Sequence, residues 1–211
     1  MAFLFSLRYA LGIVNPLKTM PKLTYNTPKK RIQWLIIAIA IVACGLVLRP
    51  ILLEFGYKSG DELVAERIYD WREKLKLEEL EQKNNLPRGL LSAVMHQESA
   101  GNPNAKSTAG AQGLFQFMRP TARDMGLNDR THPEDSARAA AEYLDKLYER
   151  YNKNLELTLA AYNWGLGNVD NYIKTRPSGS TYERFRLNKM PEETQNYIAR
   201  IKMLRTTYYL R

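Results

Sequence analysis

Residues 90–104 read LLSAVMHQESAGNPN, an apolar run that leads into a turn-forming segment. The apolar residues at its start recur at the spacing of one helix face, namely Leu90, Leu91, Val94 and Met95. The Gly-Asn-Pro-Asn run at 101–104 stops this pattern, because these residue types favour turns. The stretch therefore predicts a buried helix that ends near Glu98 and Ser99 and opens into a loop.

Glu98 lies at the C-terminal end of this predicted helix, next to the loop. Partial burial beside a cleft and the negative end of the helix dipole both disfavour an ionised carboxyl, so we expect the pKa of Glu98 to be raised. A raised pKa suits a general acid that works near neutral pH. A glutamate at a helix end is more often a solvated surface residue, so the position alone leaves both interpretations open.

Helical patterns continue towards the C-terminus and indicate an all-α domain. They fall at about 120–125, 133–151, 155–164, 167–174 and 191–209. The sequence shows neither the alternation of a strand nor an internal repeat. Short helices joined by loops over roughly 125 residues are typical of one helical domain of ordinary size.

Residues 61–84 precede this domain and read as one charged helix. Apolar residues form a stripe at spacings of four, three and four, namely Val64, Ile68, Trp71 and Leu75. We expect the stripe to pack on the domain that follows; a coiled-coil spacer between two copies is the alternative, but two heptads are too few to establish it. A new helix is expected to begin at Pro87, which suits a first turn.

An apolar segment near the N-terminus predicts a membrane anchor. Residues 32–48 are uncharged, and apolar residues continue to Leu53. Seventeen helical residues rise roughly 26 Å, close to the ~30 Å hydrocarbon core of a bilayer. The basic cluster at 29–31 and the absence of acidic residues before Glu54 predict a cytoplasmic N-terminus, with the rest of the chain outside the cytoplasm.

The segment Ile41-Val42-Ala43-Cys44 also resembles the lipobox of bacterial lipoproteins, in which the cysteine is lipidated after cleavage. The apolar run continues beyond Cys44 and the region before it is unusually long, which favours an uncleaved helix. Both interpretations place the helical domain in the same compartment.

The net charge of +9 is a topology signal and does not indicate nucleic-acid binding. Seven basic residues and no acidic residue lie in 1–53, so the remaining 24 basic and 22 acidic residues leave only +2 on 54–211. A nucleic-acid-binding domain concentrates its charge on the folded module. A single cysteine excludes an intrachain disulfide, and two histidines argue against a structural zinc site; we expect no metal and no cofactor.

Four motifs occur in order between residues 98 and 198. They are Glu98-Ser99 with Ser107 nine residues on, GAQGLFQ at 110–116 with PTA at 120–122, AAYNWG at 160–165, and ETQNYI at 193–198. Together they resemble the soluble lytic transglycosylase (SLT) domain. The resemblance implies a lysozyme-like helical fold, similar to goose-type lysozyme, in a catalytic domain at 85–211. A helical spacer at 54–84, a transmembrane anchor at 32–53 and a basic cytoplasmic tail at 1–31 would precede it.

The resemblance also implies a reaction, the cleavage of the β-1,4 bond between N-acetylmuramic acid and N-acetylglucosamine in peptidoglycan. Glu98 would protonate the leaving oxygen and then act as base on the muramyl 6-hydroxyl, which closes a 1,6-anhydro ring. The sugar supplies its own nucleophile, so the usual second carboxylate of a glycosidase is not needed.

The same resemblance assigns substrate-binding residues: Ser107, Gly113, Gln116, Tyr162, Asn163, Glu193 and Tyr197. From the residues alone, Ser107 is equally a turn-forming serine, and the two tyrosines are more often core residues. Trp164 stands where the family has a small alanine, and core filling is favoured over a sugar platform. His96 opens a His-x-Glu pair, but the zinc-deaminase pattern is incomplete without Cys-x-x-Cys.

Two other functions stay open at this point. A lysozyme-type hydrolase would need a second carboxylate, for which the candidates are Asp124, Asp129, Asp135 and Glu193. A peptidoglycan-binding protein with a vestigial site would bind without turnover. The expected partners are glycan strands and the inner membrane, with membrane or virion assembly partners as further candidates. The catalytic domain is expected in the periplasm, or on a virion membrane if the chain is phage-encoded.

Overall fold

A computed structural model describes residues 58–175 and 189–210. The chain divides into two compact units, residues 1–63 and residues 64–211. The predicted tail and anchor over 1–53, including Cys44, lie outside the described residues. Within the described ranges, no helix combines the length and the apolar character that a membrane span requires.

The described residues form α-helices and no β-strand beyond isolated bridges in the loop at 106–117. The helices are α1 (Gly60–Lys74), α2 (Leu77–Lys83), α3 (Leu90–Ser99), α4 (Arg119–Asp124), α5 (Pro133–Arg150), α6 (Leu155–Trp164), α7 (Leu166–Lys174) and α8 (Glu192–Leu204). A π-helical turn, Arg205–Tyr209, follows α8 directly. The all-α prediction is confirmed for this part of the chain.

Helices α4 to α7 begin and end close to the predicted residues, because nearby residues in the sequence set their boundaries. The helix predicted at 191–209 is α8 followed by the π-helical turn. Proline occupies the first turn of α4 and of α5, where a missing N–H costs nothing. Asn154 caps α6, since its side-chain oxygen accepts a hydrogen bond of 3.0 Å from the backbone N–H of Leu157. Such signals act over three or four residues and are readable without the tertiary structure.

The single helix predicted for 61–84 is wrong, because the chain breaks between α1 and α2. Lys76 adopts a left-handed conformation with φ of 50°. This turn allows Leu75 and Leu77, on either side of it, both to be buried in the core. A continuous helix would point these two side chains in widely different directions.

The predicted start of α3 at Pro87 is also wrong. The helix begins at Leu90, after Gly89 in a left-handed conformation with φ of 74°. Glu81 of α2 supplies the cap: its two carboxyl oxygens accept hydrogen bonds of 2.7 Å from the backbone N–H groups of Gly89 and Leu91. Burial raises the pKa of Glu81 to about 7, although the two hydrogen bonds act in the opposite direction and lower it. The N-terminus of α3 is thus set by a residue of another helix.

Helix α3 runs through the centre of the core. Its first seven residues, Leu90 to His96, are all buried. It packs against α2, α5, α8 and the π-helical turn. The α1 stripe lies against the same core, with Ile68 and Leu75 buried and Val64 and Trp71 partly buried, so the predicted packing is confirmed. A helix enclosed in this way holds the residue at its C-terminal end, Glu98, in a defined position.

Candidate active site

Glu98 is the focus of the site because it is partly buried near the C-terminal end of the central helix α3. Burial raises its pKa to about 7, and the hydrogen bond from Tyr197 opposes the shift. Tyr197 Oη donates to Glu98 Oε1 at 2.7 Å from α8. A carboxyl with a pKa near neutrality can both give and take a proton under physiological conditions.

Two tyrosines, Tyr162 and Tyr197, interact with this carboxyl. Tyr162 of α6 donates its hydroxyl to the carbonyl oxygen of Phe115 at 2.8 Å. Burial, and then the charge of Glu98, raise the pKa values of Tyr162 and Tyr197 well above their usual range. Both hydroxyls therefore stay protonated and act as hydrogen-bond donors beside Glu98.

The loop at 105–117 folds back on itself and carries the second motif. Antiparallel bridges join Lys106 to Gln112 and Gln112 to Phe117. Gln116 has φ of 50°, and its side-chain amide donates to the carbonyl oxygens of Ala105 at 3.1 Å and of Gly113 at 2.9 Å. The side chain of Gln116 therefore ties the two arms of the loop together, and its amide oxygen is the remaining group for a ligand.

Gly113 is required by a close approach between two backbone segments. Its φ is +86°, and a Cβ atom there would lie 1.8 Å from the carbonyl oxygen of Arg130. The Arg130 guanidinium donates in turn to the carbonyl oxygens of Gly110 at 2.8 Å and Phe117 at 2.9 Å. The segment between α4 and α5 thus holds the loop from outside.

The remaining predicted residues occupy varied positions. Ser107 is exposed, and its hydroxyl accepts a hydrogen bond of 3.0 Å from the backbone N–H of Ala111, which is the turn-forming contact. Asn163 is partly buried next to Tyr162 on α6. Glu193 is exposed in the first turn of α8, one turn before Tyr197 and on the same side of that helix.

Two aromatic residues of the motifs, Phe115 and Trp164, pack against the core. Phe115 is fully buried. Trp164 is partly buried against the core, with its ring edge-on to Tyr172 at 6.2 Å. His96 points away from the site, because its Nδ1 lies 2.7 Å from the Tyr209 hydroxyl in the buried interior.

The candidate second carboxylates either bond to residues close to them in the sequence or are exposed to solvent. Asp129 accepts hydrogen bonds from the backbone N–H and the hydroxyl of Thr131, which lower its pKa. Asp135 lies 2.9 Å from His132 and also pairs with Arg138. Asp124 and Glu193 are exposed. Asp129 is exposed as well, so only Asp135 among the four is partly buried, and its carboxylate is paired with His132 and Arg138.

The sequence patterns did not indicate three further residues of this region. Tyr143 of α5 lies 5.6 Å from the Tyr162 ring and 6.4 Å from Phe117, centroid to centroid. Arg130 and Trp71 act through hydrogen bonds to backbone carbonyls. Every residue has a backbone carbonyl, so contacts with backbone carbonyls cannot be predicted from residue type. The only signal in the sequence was the position of Trp71 on the apolar stripe, which predicts packing against the domain.

The comparisons with known proteins identify a family. The family model for the transglycosylase SLT domain matches residues 76–185. A membrane-bound lytic murein transglycosylase F from Pseudoalteromonas translucida is 39% identical over 103 residues, which cover 46% of this chain and 22% of that protein.

Two solved structures share the fold. The inactive mutant of lytic transglycosylase Slt from Pseudomonas aeruginosa is 26% identical, with a TM-score of 0.52 over 63% of this chain and 23% of that one. The complex of the 70-kDa soluble lytic transglycosylase with bulgecin A is 25% identical, with a TM-score of 0.55 over 68% of this chain and 25% of that one.

The described helices share the fold of these lytic transglycosylase structures. The family match covers more than half of the chain, which therefore belongs to the transglycosylase SLT domain family. The chain spans about a quarter or less of the length of these relatives.

Proposed function

We propose that this protein is a membrane-anchored lytic transglycosylase that cleaves the MurNAc-β-1,4-GlcNAc bond of peptidoglycan and leaves 1,6-anhydro-MurNAc ends. The observation that carries the proposal is the Glu98 carboxyl, whose pKa is raised to about 7 and which receives the Tyr197 hydroxyl at 2.7 Å. Family membership and the names of the relatives support the same reaction.

Glu98 performs both proton transfers in this mechanism. The protonated carboxyl donates its proton to the glycosidic oxygen as the bond to the anomeric carbon breaks. The resulting carboxylate then takes the proton of the muramyl 6-hydroxyl, whose oxygen attacks the anomeric carbon and closes the anhydro ring. The proton returns to Glu98, so the reaction needs neither water nor a second acid. The hydroxyl of Tyr197 stabilises the intermediate carboxylate.

The substrate contacts are assigned to the residues that border Glu98 in the motifs. Tyr162 offers a ring face to a sugar, while Asn163 and the amide oxygen of Gln116 offer polar groups for N-acetyl or hydroxyl partners. Ser107 and Glu193 contribute from the exposed rim, and Gly113 shapes the loop. The local engagement of Asp129 and Asp135 favours this single-acid reaction over a lysozyme-type hydrolysis.

The test is a digestion of purified sacculi by the full-length protein in detergent, performed in ¹⁸O-labelled water. We expect 1,6-anhydromuropeptides without incorporated label, and a rate that declines above about pH 7 as Glu98 loses its proton. Labelled reducing ends would establish a muramidase instead. Binding to sacculi without any released product would establish a peptidoglycan-binding protein.

The proposed topology is a single-pass anchor at 32–53 with a cytoplasmic tail at 1–31, a spacer at 54–84 and a catalytic domain at 85–211 in the periplasm. The basic cluster before the apolar run and the membrane-bound relatives support it. Glycan strands and the inner membrane are the partners, and a virion membrane takes the place of the inner membrane if the chain is phage-encoded. Protease added to spheroplasts should degrade the catalytic domain, and an intact domain would reject this orientation. A lipid adduct on Cys44 would reject the uncleaved anchor.

A further inference from the structure

The turn that follows Glu98 and Ser99 has an unusual backbone. Ala100 and Gly101 both adopt left-handed conformations, with φ of 50° and 74°. A residue with a side chain loses on the order of 1–2 kcal/mol in this conformation, so Ala100 needs support from its surroundings. Part of the support is local: Ala100 N–H donates to the carbonyl oxygen of His96 at 3.1 Å, and Gly101 N–H donates to the Ser99 hydroxyl at 3.2 Å.

The rest of the support comes from α1, far away in the sequence. Trp71 Nε1 donates to the carbonyl oxygen of Gly101 at 2.9 Å, and the Arg67 guanidinium donates to the carbonyl oxygen of Ala100 at 3.0 Å. A Cβ atom on Gly101 would lie 3.1 Å from side-chain atoms of Arg67 and of Ile68. Helix α1 therefore packs directly on this turn and provides hydrogen-bond donors for two carbonyls at the C-terminal end of α3.

We propose that Trp71, assisted by Arg67, is a positioning residue that holds the end of α3 and thereby the Glu98 carboxyl in its working position. The inference rests on the proposed function, and it adds a part of the chain that precedes the family match at 76–185. Glu81 fixes the N-terminus of α3 and Trp71 fixes the C-terminus, so both ends of the helix are held by preceding helices.

The two contacts on the turn differ in how well they are protected from water. Trp71 is partly buried against the core, whereas the Arg67 hydrogen bond is exposed. A hydrogen bond screened from solvent is harder to replace by water, so Trp71 carries most of the effect. A displacement of about 1 Å at a catalytic group can lower the rate by on the order of 100-fold. The loss of this one hydrogen bond can therefore affect the rate much more than it affects the stability of the fold.

The test replaces Trp71 by phenylalanine, which keeps an aromatic ring in the core and removes the N–H donor. We expect the kcat for anhydromuropeptide release from soluble glycan strands to fall by on the order of 10-fold to 100-fold. The KM should change by less than about twofold, because the atoms that Trp71 contacts belong to the helix end and not to the loop proposed to bind sugar. The matched control is Lys74→Met, which removes the ammonium 5.5 Å above the same ring and keeps the N–H donor.

A second measurement is independent of turnover. The ¹³C resonance of the Glu98 carboxyl, followed against pH, should give a lower pKa in Trp71→Phe than in the unsubstituted protein, because a loosened turn admits water. An unchanged kcat with an unchanged Glu98 titration would overturn the inference, as would a change confined to KM. If the unsubstituted protein releases no product, the proposed function fails, while the titration still decides whether Trp71 positions Glu98.

Discussion

Glu98→Gln should abolish the release of anhydromuropeptides while binding to sacculi persists. Glutamine has nearly the same shape and can still accept the Tyr197 hydroxyl, but it can neither donate nor take up a proton. One residue serves as acid and then as base in the proposed mechanism, so the expected loss is on the order of 10⁴-fold. Product release measured by chromatography and binding measured by sedimentation with sacculi separate the two properties. Residual turnover near the unsubstituted level would show that another group transfers the proton.

The same substitution should change the pH dependence of stability. The pKa of Glu98 is about 7 in the folded protein, above the ordinary glutamate value of 4.5. The folded state therefore binds this proton more tightly than the unfolded state. The contribution of Glu98 to the stability of the fold is fully present below about pH 4.5 and is lost as the pH rises through about 7. Glu98→Gln removes the buried charge. The free energy of unfolding of the variant at pH 8 should therefore exceed that of the unsubstituted protein by up to about 3 kcal/mol.

Urea unfolding at pH 5 and pH 8 measures this difference. The advantage of Glu98→Gln should be largest at pH 8 and much smaller at pH 5. Glu142→Gln is the matched control, because Glu142 is exposed on α5 and its replacement removes the same charge without changing burial. An equal gain in the two variants would assign the effect to net charge instead of desolvation.

Gly113→Ala should produce the largest loss of stability of any single methyl addition in this loop. The new Cβ would lie 1.8 Å from the carbonyl oxygen of Arg130, and a backbone atom cannot move aside as the end of a side chain does. The added left-handed strain at φ of +86° makes the total cost on the order of 4 kcal/mol or more. The loop that carries Gln116 would lose its closed form, so activity should fall with stability.

Gly110→Ala separates the two causes. Gly110 has nearly the same φ, +90°, but a Cβ atom added there would meet no atom within 4 Å beyond its two chain neighbours. The Gly110→Ala variant should therefore lose only about 1–2 kcal/mol of stability, which is the cost of the left-handed strain. Unfolding free energies from urea titration compare the pair directly. Equal losses at the two glycines would mean that the contact with Arg130 relaxes at little cost.

The predictions that held were those that depend on short stretches of sequence. The positions of α4 to α7 follow from apolar spacing, from proline in the first turn and from the Asn154 cap, each of which acts within about one helical turn. The two errors, at Lys76 and at Pro87, have a common origin. In both places a contact beyond the local helical turn outweighed the local preference, namely the burial of Leu77 in the core and the cap from Glu81.

Residue spacing and residue type were enough to predict the helical class, the motif around Glu98 and the family to which the chain belongs. The environment of the Glu98 carboxyl, in contrast, follows from the tertiary structure. Its hydrogen bond comes from Tyr197, 99 residues away, and its raised pKa comes from burial among helices that meet only after folding. Desolvation depends on which atoms exclude water around the carboxyl, and a list of neighbours in sequence does not contain those atoms.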